Sequence, residues 1–233
     1  MNNENKEKIC RIACVSEKVE LPLREYLTEK GYRLQYVFPK NEITGSEKYH
    51  PDLYMCKLGA EPSAEIFFGE REYIGIKYPQ CAAYNGVVMG DIFIHKLTAT
   101  AKDLMEIVRG RGYRLIDVPQ GYTKCNMVVV DALHCITSDY GLAKALSSEA
   151  SQIKVLMVEK GQVELEGYPY GFLGGASGRV DGEIVFNGDL SRHSDFVRIK
   201  EFINSCGLGV KYFKDYPLRD IGSIIAVSHR SLF

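Results

Sequence analysis

The tetrapeptide Gly31-Tyr32-Arg33-Leu34 returns unchanged as Gly112-Tyr113-Arg114-Leu115, about two 40-residue units further along the chain. Self-similarity at that period marks a chain assembled from small supersecondary units, none of which can bury its apolar face alone. Both copies follow an amphipathic helical pattern and open an alternating run, Leu34-Gln35-Tyr36-Val37 in one and Leu115-Ile116-Asp117-Val118 in the other. The glycine therefore reads as a helix C-cap that hands over to a strand.

A second set of echoes marks where units begin: Asn85-Gly86-Val87-Val88-Met89, Asn126-Met127-Val128-Val129-Val130 and Gly178-Arg179-Val180. Each is followed by a second short strand (92–95, 133–137, 184–187) and then by a helix start. Thr100 with Asp103 has the spacing of a capping box, Ser138 and Asp139 precede Leu142-Ala143-Ala145-Leu146, and Ser191 or Ser194 can cap the helix carrying Phe196, Ile199, Phe202 and Ile203. That last helix stops at Gly207 or Gly209. The N-terminal region repeats the grammar less fully, with a strand over 9–15, a helix whose first turn accepts Pro22, and a returning strand over 31–38. Residues 51–80 hold two strands but no helical pattern, because Gly59, Pro62, Gly69 and Gly75 interrupt them.

The composition narrows the function. With 233 residues and a formal net charge of -1, the chain has the length of one domain and lacks the basic excess that neutralises phosphates, so no nucleic-acid partner is expected. The first residues, MNNENKEK, are polar, and no apolar run approaches the roughly 20 residues that span a bilayer, so a cytoplasmic protein without a membrane segment is expected. Seven cysteines at 10, 14, 56, 81, 125, 135 and 206 form no CxxC pair and have no histidine at zinc-finger spacing. They read as reduced thiols, with neither a metal nor a cofactor expected.

Units of about 45 residues with the order strand, strand, helix, strand resemble the pentein fold of guanidino-group-modifying enzymes, with the unit starts Gly171-Phe172-Leu173-Gly174-Gly175-Ala176-Ser177-Gly178 and Asp220-Ile221-Gly222-Ser223-Ile224. The resemblance implies an α/β propeller of about five ββαβ-like repeats around a pseudo-fivefold axis. The units would run over 8–50, 51–80, 81–122, 123–170 and 171–227 of a single domain, the second being degenerate. It also implies that residues preceding each first strand converge on a central channel: Cys81, Tyr84 and Asn85; Lys124, Cys125 and Asn126; Gly174, Gly175 and Ser177; Arg219, Asp220 and Ser223. Glycines there admit a ligand close to the backbone, and asparagine offers donor and acceptor together; the same residues also serve as turn formers between units.

Attack on a guanidinium carbon requires a thiolate, a general acid-base and carboxylates that pair with a planar cation. The resemblance places that thiol in the last unit, where residues 220–227 contain no cysteine, and Cys206 reads as a packing residue at a helix end. Cys125 is the substitute nucleophile, less readily Cys81, with Asp131, Asp181 or Asp220 pairing the cation and His134 or His193 moving protons. His134 alternates with Ala132 and Ile136 and also fits a core position; His193 also fits a solvated or capping role beside a helix. No dinucleotide fingerprint, P-loop, HExxH or complete GxSxG is present. Two readings follow. One is a divergent or inactive C-N hydrolase or amidinotransferase-like protein holding a small guanidino, amidine or amide ligand; the other is a non-catalytic pentein that binds a protein partner or the ribosome. Oligomeric state is left open.

Overall fold

The computed structural model describes residues 8–231. The chain runs β1 (Lys8–Val15), α1 (Leu21–Glu29), β2 (Arg33–Tyr36), β3 (Met55–Lys57), β4 (Ile66–Phe68), β5 (Val87–Met89), β6 (Ile92–His95), α2 (Lys102–Gly110) and β7 (Arg114–Asp117). It continues through α3 (Thr123–Asn126), β8 (Met127–Val129), β9 (His134–Thr137), α4 (Tyr140–Glu149), β10 (Lys154–Met157), β11 (Ser177–Val180), β12 (Glu183–Phe186), α5 (Phe196–Ser205), β13 (Gly209–Lys211) and β14 (Ile225–Ser231). This is a mixed α/β protein of small sheets. No helix among the described residues is long and apolar enough to cross a membrane.

The glycine signal is realised three times. Gly31, Gly112 and Gly207 adopt φ of +80°, +73° and +74°, a left-handed backbone that glycine enters without steric cost. After each of them the chain closes the same double hydrogen bond onto the helix it leaves: Gly31 N to Thr28 O with Tyr32 N to Leu27 O, Gly112 N to Arg109 O with Tyr113 N to Val108 O, and Gly207 N to Asn204 O with Leu208 N to Ile203 O. These Schellman closures satisfy the last carbonyls and aim the chain back along the sheet.

Four three-stranded sheets share one grammar: an antiparallel pair, then a third strand brought back parallel to the second by a helix. They are β5-β6-β7, β8-β9-β10, β11-β12-β13 and β14-β1-β2. In the last of these the first strand comes from the other end of the chain. Ile12 faces Val227 and Ala13 faces Ala226 across an antiparallel ladder, while Ala13 and Leu34 are neighbours in a parallel one. Residues 51–80 contribute only the two-stranded β3-β4 sheet, as their interrupted pattern predicts.

Each crossover helix buries one i, i+4 pair completely: Leu23 and Leu27, Leu104 and Val108, Leu142 and Leu146, Ile199 and Ile203. Burial of side chains this size stabilises by about 1.5–3 kcal/mol each, and that holds the helices on their sheets. The helix starts follow the sequence only in part. Asp139 caps α4 by accepting from Leu142 N at 2.9 Å. Thr100 and Asp103 make no capping box: Thr100 Oγ1 bonds His95 Nδ1 at 2.8 Å, and Asp103 accepts from Tyr84 OH at 2.7 Å. Ser191 and Ser194 do not cap α5, because Asp189 and Gln162 engage them instead. Other side chains, distant ones for Asp103 and Ser194 and near ones for Thr100 and Ser191, have taken the groups that local spacing reserved for the backbone.

Candidate functional site

The segments that precede the first strands carry a large share of the buried polar residues. His50 and Asp52 stand before β3, Asn85 before β5, Lys124 and Cys125 in α3 before β8, Gly174 and Gly175 before β11, and Asp220 and Ser223 before β14. Of these side chains His50, Asp52, Asn85, Cys125, Asp220 and Ser223 are at most 5% exposed.

One connected network joins them. Asp52 Oδ2 accepts from Ser223 Oγ at 2.6 Å and from the Cys125 thiol at 3.1 Å. Lys124 Nζ donates to Ser223 Oγ at 3.1 Å, so the hydroxyl passes on to Asp52 the polarisation it receives from the ammonium. Asn85 clamps α3: its Oδ1 accepts from Cys125 N at 3.1 Å, and its Nδ2 donates to Asp52 O at 3.2 Å and to Cys125 Sγ at 3.4 Å. The Asp220 carboxylate accepts from Phe172 N at 2.9 Å and Gly222 N at 3.0 Å, and lies 3.8 Å from His50 Nδ1. Among the described residues, two buried side-chain atoms have no hydrogen-bond partner, His50 Nδ1 and Asp52 Oδ1. Unpaired groups of this kind are costly, and they cluster where a ligand or water completes them.

Local backbone geometry makes this convergence possible. Gly222 adopts φ of +76°, and a Cβ there would fall 2.0 Å from His50 Cβ; a Cβ on Gly175 would fall 2.1 Å from Asp220 Oδ1. Ser223 holds a left-handed φ of +72° despite its side chain, a conformation costing about 1–3 kcal/mol that places its hydroxyl between Lys124 and Asp52.

Above the network lies a cavity of about 130 Å³, into which Cys125, His50 and Asp220 face together with Glu47, Leu165, Phe172 and the rings of Tyr122, Tyr168 and Tyr170. Tyr168 OH donates to Glu47 Oε2 at 2.6 Å, and Tyr122, stacked on Tyr78 at 5.2 Å, shares a proton with Cys81 Sγ at 3.2 Å. The cavity thus has aromatic walls, one carboxylate at each level and a thiol between them.

Burial sets the charges. It raises the Asp52 carboxyl above the usual carboxylate range, against the opposing pull of His50, Ser223 and Lys124. It raises the Cys125 thiol well above an ordinary cysteine, with the charges of Asp52 and Asp220 acting in the same direction, and it lowers Lys124. In the resting site Cys125 is a thiol that donates to Asp52, not a free thiolate.

Of the residues expected around the channel, Asn85, Lys124, Cys125, Gly174, Gly175, Asp220 and Ser223 belong to the network. Cys81 supports it through Tyr122, and Ser177 is buried and donates to Gly174 O at 3.2 Å. Three expected members point elsewhere. Tyr84 sends its hydroxyl to Asp103, Asn126 folds back onto Tyr122 O at 2.9 Å, and Arg219 pairs outside the cavity with Glu20 and Glu164. His134 and Asp131 do pair, at 2.9 Å, but they gather with Cys206 rather than with Cys125. Asp181 holds Tyr32 and Arg11, and His193 Nδ1 accepts from Asp195 N at 3.1 Å in a turn before α5.

The histidine and carboxylate that accompany Cys125 come instead from the segment leading into β3, where the first unit, ending at residue 50, meets the degenerate second one. Sequence reasoning passed over Glu47, His50 and Asp52 because the degenerate unit has no helix to fix where it starts. The signal was nonetheless present, since His50-Pro51-Asp52 occupies the same place before a first strand as Asn85 and Cys125 do in their units.

No curated protein and no solved structure gives a significant match to the chain. A family model described as "Family of unknown function (DUF6873)" matches residues 60–225, a span that contains Cys125, Asn85 and Asp220 but begins after His50 and Asp52. The match covers well over half of the sequence, and the chain belongs to this family.

Proposed function

We propose that the chain is a pentein-like α/β propeller that binds a small guanidino, amidine or amide compound in the cavity above Cys125, and that Cys125 attacks the ligand's central carbon. The observation that carries this reading is the meeting of a thiol, an imidazole and two carboxylates, Asp220 and Glu47, inside one aromatic-walled cavity. Aromatic faces and carboxylates together favour a planar cation. The propeller arrangement is supported by the shared sheet grammar and by packing between first strands, β11 against both β14 and β8, and β3 against β5.

The chemistry follows from the contacts. A cation seated about 4 Å from the sulfur stabilises the thiolate by about 4 kcal/mol at an effective dielectric near 20, or about three pKa units, which offsets much of what burial imposes. The thiol proton passes to Asp52 Oδ2, 3.1 Å away. The sulfur then forms a bond to the ligand carbon, and the carbon-nitrogen bond breaks as a proton reaches the leaving amine through the His50 imidazole. Water adds to the sulfur-bound carbon and gives one proton to His50; the carbon-sulfur bond then breaks as the new hydroxyl becomes the carbonyl and its proton leaves to the released amine or solvent, and the thiolate recovers its proton from Asp52. The net change is hydrolysis of one carbon-nitrogen bond to a carbonyl and an amine.

Incubation with arginine, agmatine, methylated arginines and small amidines tests the reading, with released ammonia or amine as the signal and a melting-temperature shift reporting binding. Turnover that disappears in Cys125→Ala and in His50→Ala is the expected result. Absence of both product and thermal shift across the panel, or turnover unaffected in Cys125→Ala, overturns it.

A further inference from the structure

A second set of donor side chains lies away from the cavity. Asp131 follows β8, His134 opens β9, and Cys206 stands just beyond the end of α5, so the three link the hairpin of one sheet to the helix of the next. One ligand atom from each lies within 4.8 Å of the others.

The group is held in place by contacts on several sides. Asp131 Oδ1 accepts from Leu133 N at 2.7 Å and lies 2.9 Å from His134 Nδ1. The edge of Phe202, one turn before Cys206 on α5, packs on the imidazole with ring centroids 5.7 Å apart. The donors are also reachable. The Asp131 and His134 side chains are 26% and 22% exposed, and Cys206 is partly exposed, whereas Cys14, Cys56, Cys81, Cys125 and Cys135 are buried. A surface ion pair needs only its two partners. Here a thiol from a distant helix end converges on the same point.

We propose that Asp131, His134 and Cys206 bind a divalent cation of the zinc class. An imidazole, a thiolate and a carboxylate form a borderline donor set that suits zinc over magnesium or calcium. With the thiol ionised, the two negative charges balance the ion. Donors about 2.0–2.3 Å from a tetrahedral centre stand roughly 3.3–3.8 Å from one another, so the Asp131–His134 pair, 2.9 Å apart, opens by a few tenths of an ångström while the thiol, within 4.8 Å of both, needs to move by no more than about an ångström. The ion takes the place of the proton between Nδ1 and Asp131; that proton moves to Nε2, and the thiol proton leaves to solvent. The exposed side of the cluster leaves the fourth position to water. Such an ion clips two consecutive units together at their periphery.

Titration of metal-free protein with Co²⁺ tests this. One equivalent with a thiolate-to-cobalt charge-transfer band, displaced by Zn²⁺, is expected for the native chain and for Cys125→Ser, and the band is lost in Cys206→Ser. The Cys125→Ser arm separates this cluster from the buried His50, Asp52 and Cys125, whose ligand atoms also lie within 4.8 Å of one another. Zn²⁺ at about 100 times its dissociation constant raises the melting temperature by roughly 5–10 °C in the native chain and not in Cys206→Ser. Absence of the band, or a band that survives Cys206→Ser and disappears in Cys125→Ser, overturns the proposal.

Discussion

Lys57 offers a direct measure of what enclosing a charge costs this protein. Its ammonium is shut between the first strands and donates one hydrogen bond, to Ala226 O at 2.9 Å, while Arg179 and Lys124 add like charge nearby. Burial first, and then those two cations, pull it from 10.5 down to about 7. A base whose folded pKa lies below its unfolded one carries fewer protons when folded over the interval between them, so stability rises with pH from about 7 to 10.5 and the penalty is complete below 7. At 1.36 kcal/mol per unit the whole interval is worth up to about 5 kcal/mol. Lys57→Met removes the titration and also deprives Ala226 O of a donor, at about 1 kcal/mol. The variant is therefore expected to be more stable than the native chain at pH 6 by a few kcal/mol, and slightly less stable at pH 10.5. Urea unfolding of both proteins between pH 6 and 10.5 checks this. Subtracting one curve from the other cancels the cysteines and tyrosines, which titrate in the same range. Parallel curves would refute the reasoning, because they would mean that the ammonium keeps its solvent when the chain folds.

Two further outcomes follow from the cavity floor. Asp52→Asn removes the charge that opposes ionisation of Cys125 while keeping an acceptor for Ser223, so alkylation of Cys125, followed by peptide mass spectrometry, shifts to lower pH; a profile that stays in place or moves upward contradicts the network. Gly222→Ala forces a side chain into a φ of +76° and into His50, and is expected to cost at least about 1–2 kcal/mol in urea unfolding and to weaken any ligand-induced thermal shift. A variant as stable as the native chain contradicts the close approach.

The repeat was legible because it is written in backbone requirements. Glycine at a helix end after an aliphatic i, i+4 pair enters the left-handed conformation cheaply, and the chain uses it three times. The individual caps were less legible, since Asp103 and Ser194 have tertiary partners that no local window contains. The site was half visible. Cys125, Asn85, Asp220 and Ser223 follow from aligning unit starts, but His50 and Asp52 straddle the boundary with the unit whose helix is missing. The alternation of His134 with Ala132 and Ile136 fits a core position as well as a proton-moving one, yet the residue opens β9 with its side chain 22% exposed, where Asp131 and Cys206 meet it.

The ladder between β14 and β1 also sets an order of events during synthesis. β1 is made early, but the residues that pair with its free edge, Ile225 to Ser231, emerge after every other strand described. Until then an apolar edge carrying Ile12, Ala13 and Cys14 has only β2 beside it, and unpaired edges of that kind recruit other chains. Asp220 and Ser223 reach Asp52 and His50 on the same late segment. A nascent chain therefore cannot assemble its buried thiol site before the β14-β1-β2 sheet is ready to close, and the site's completion reports the completion of that sheet.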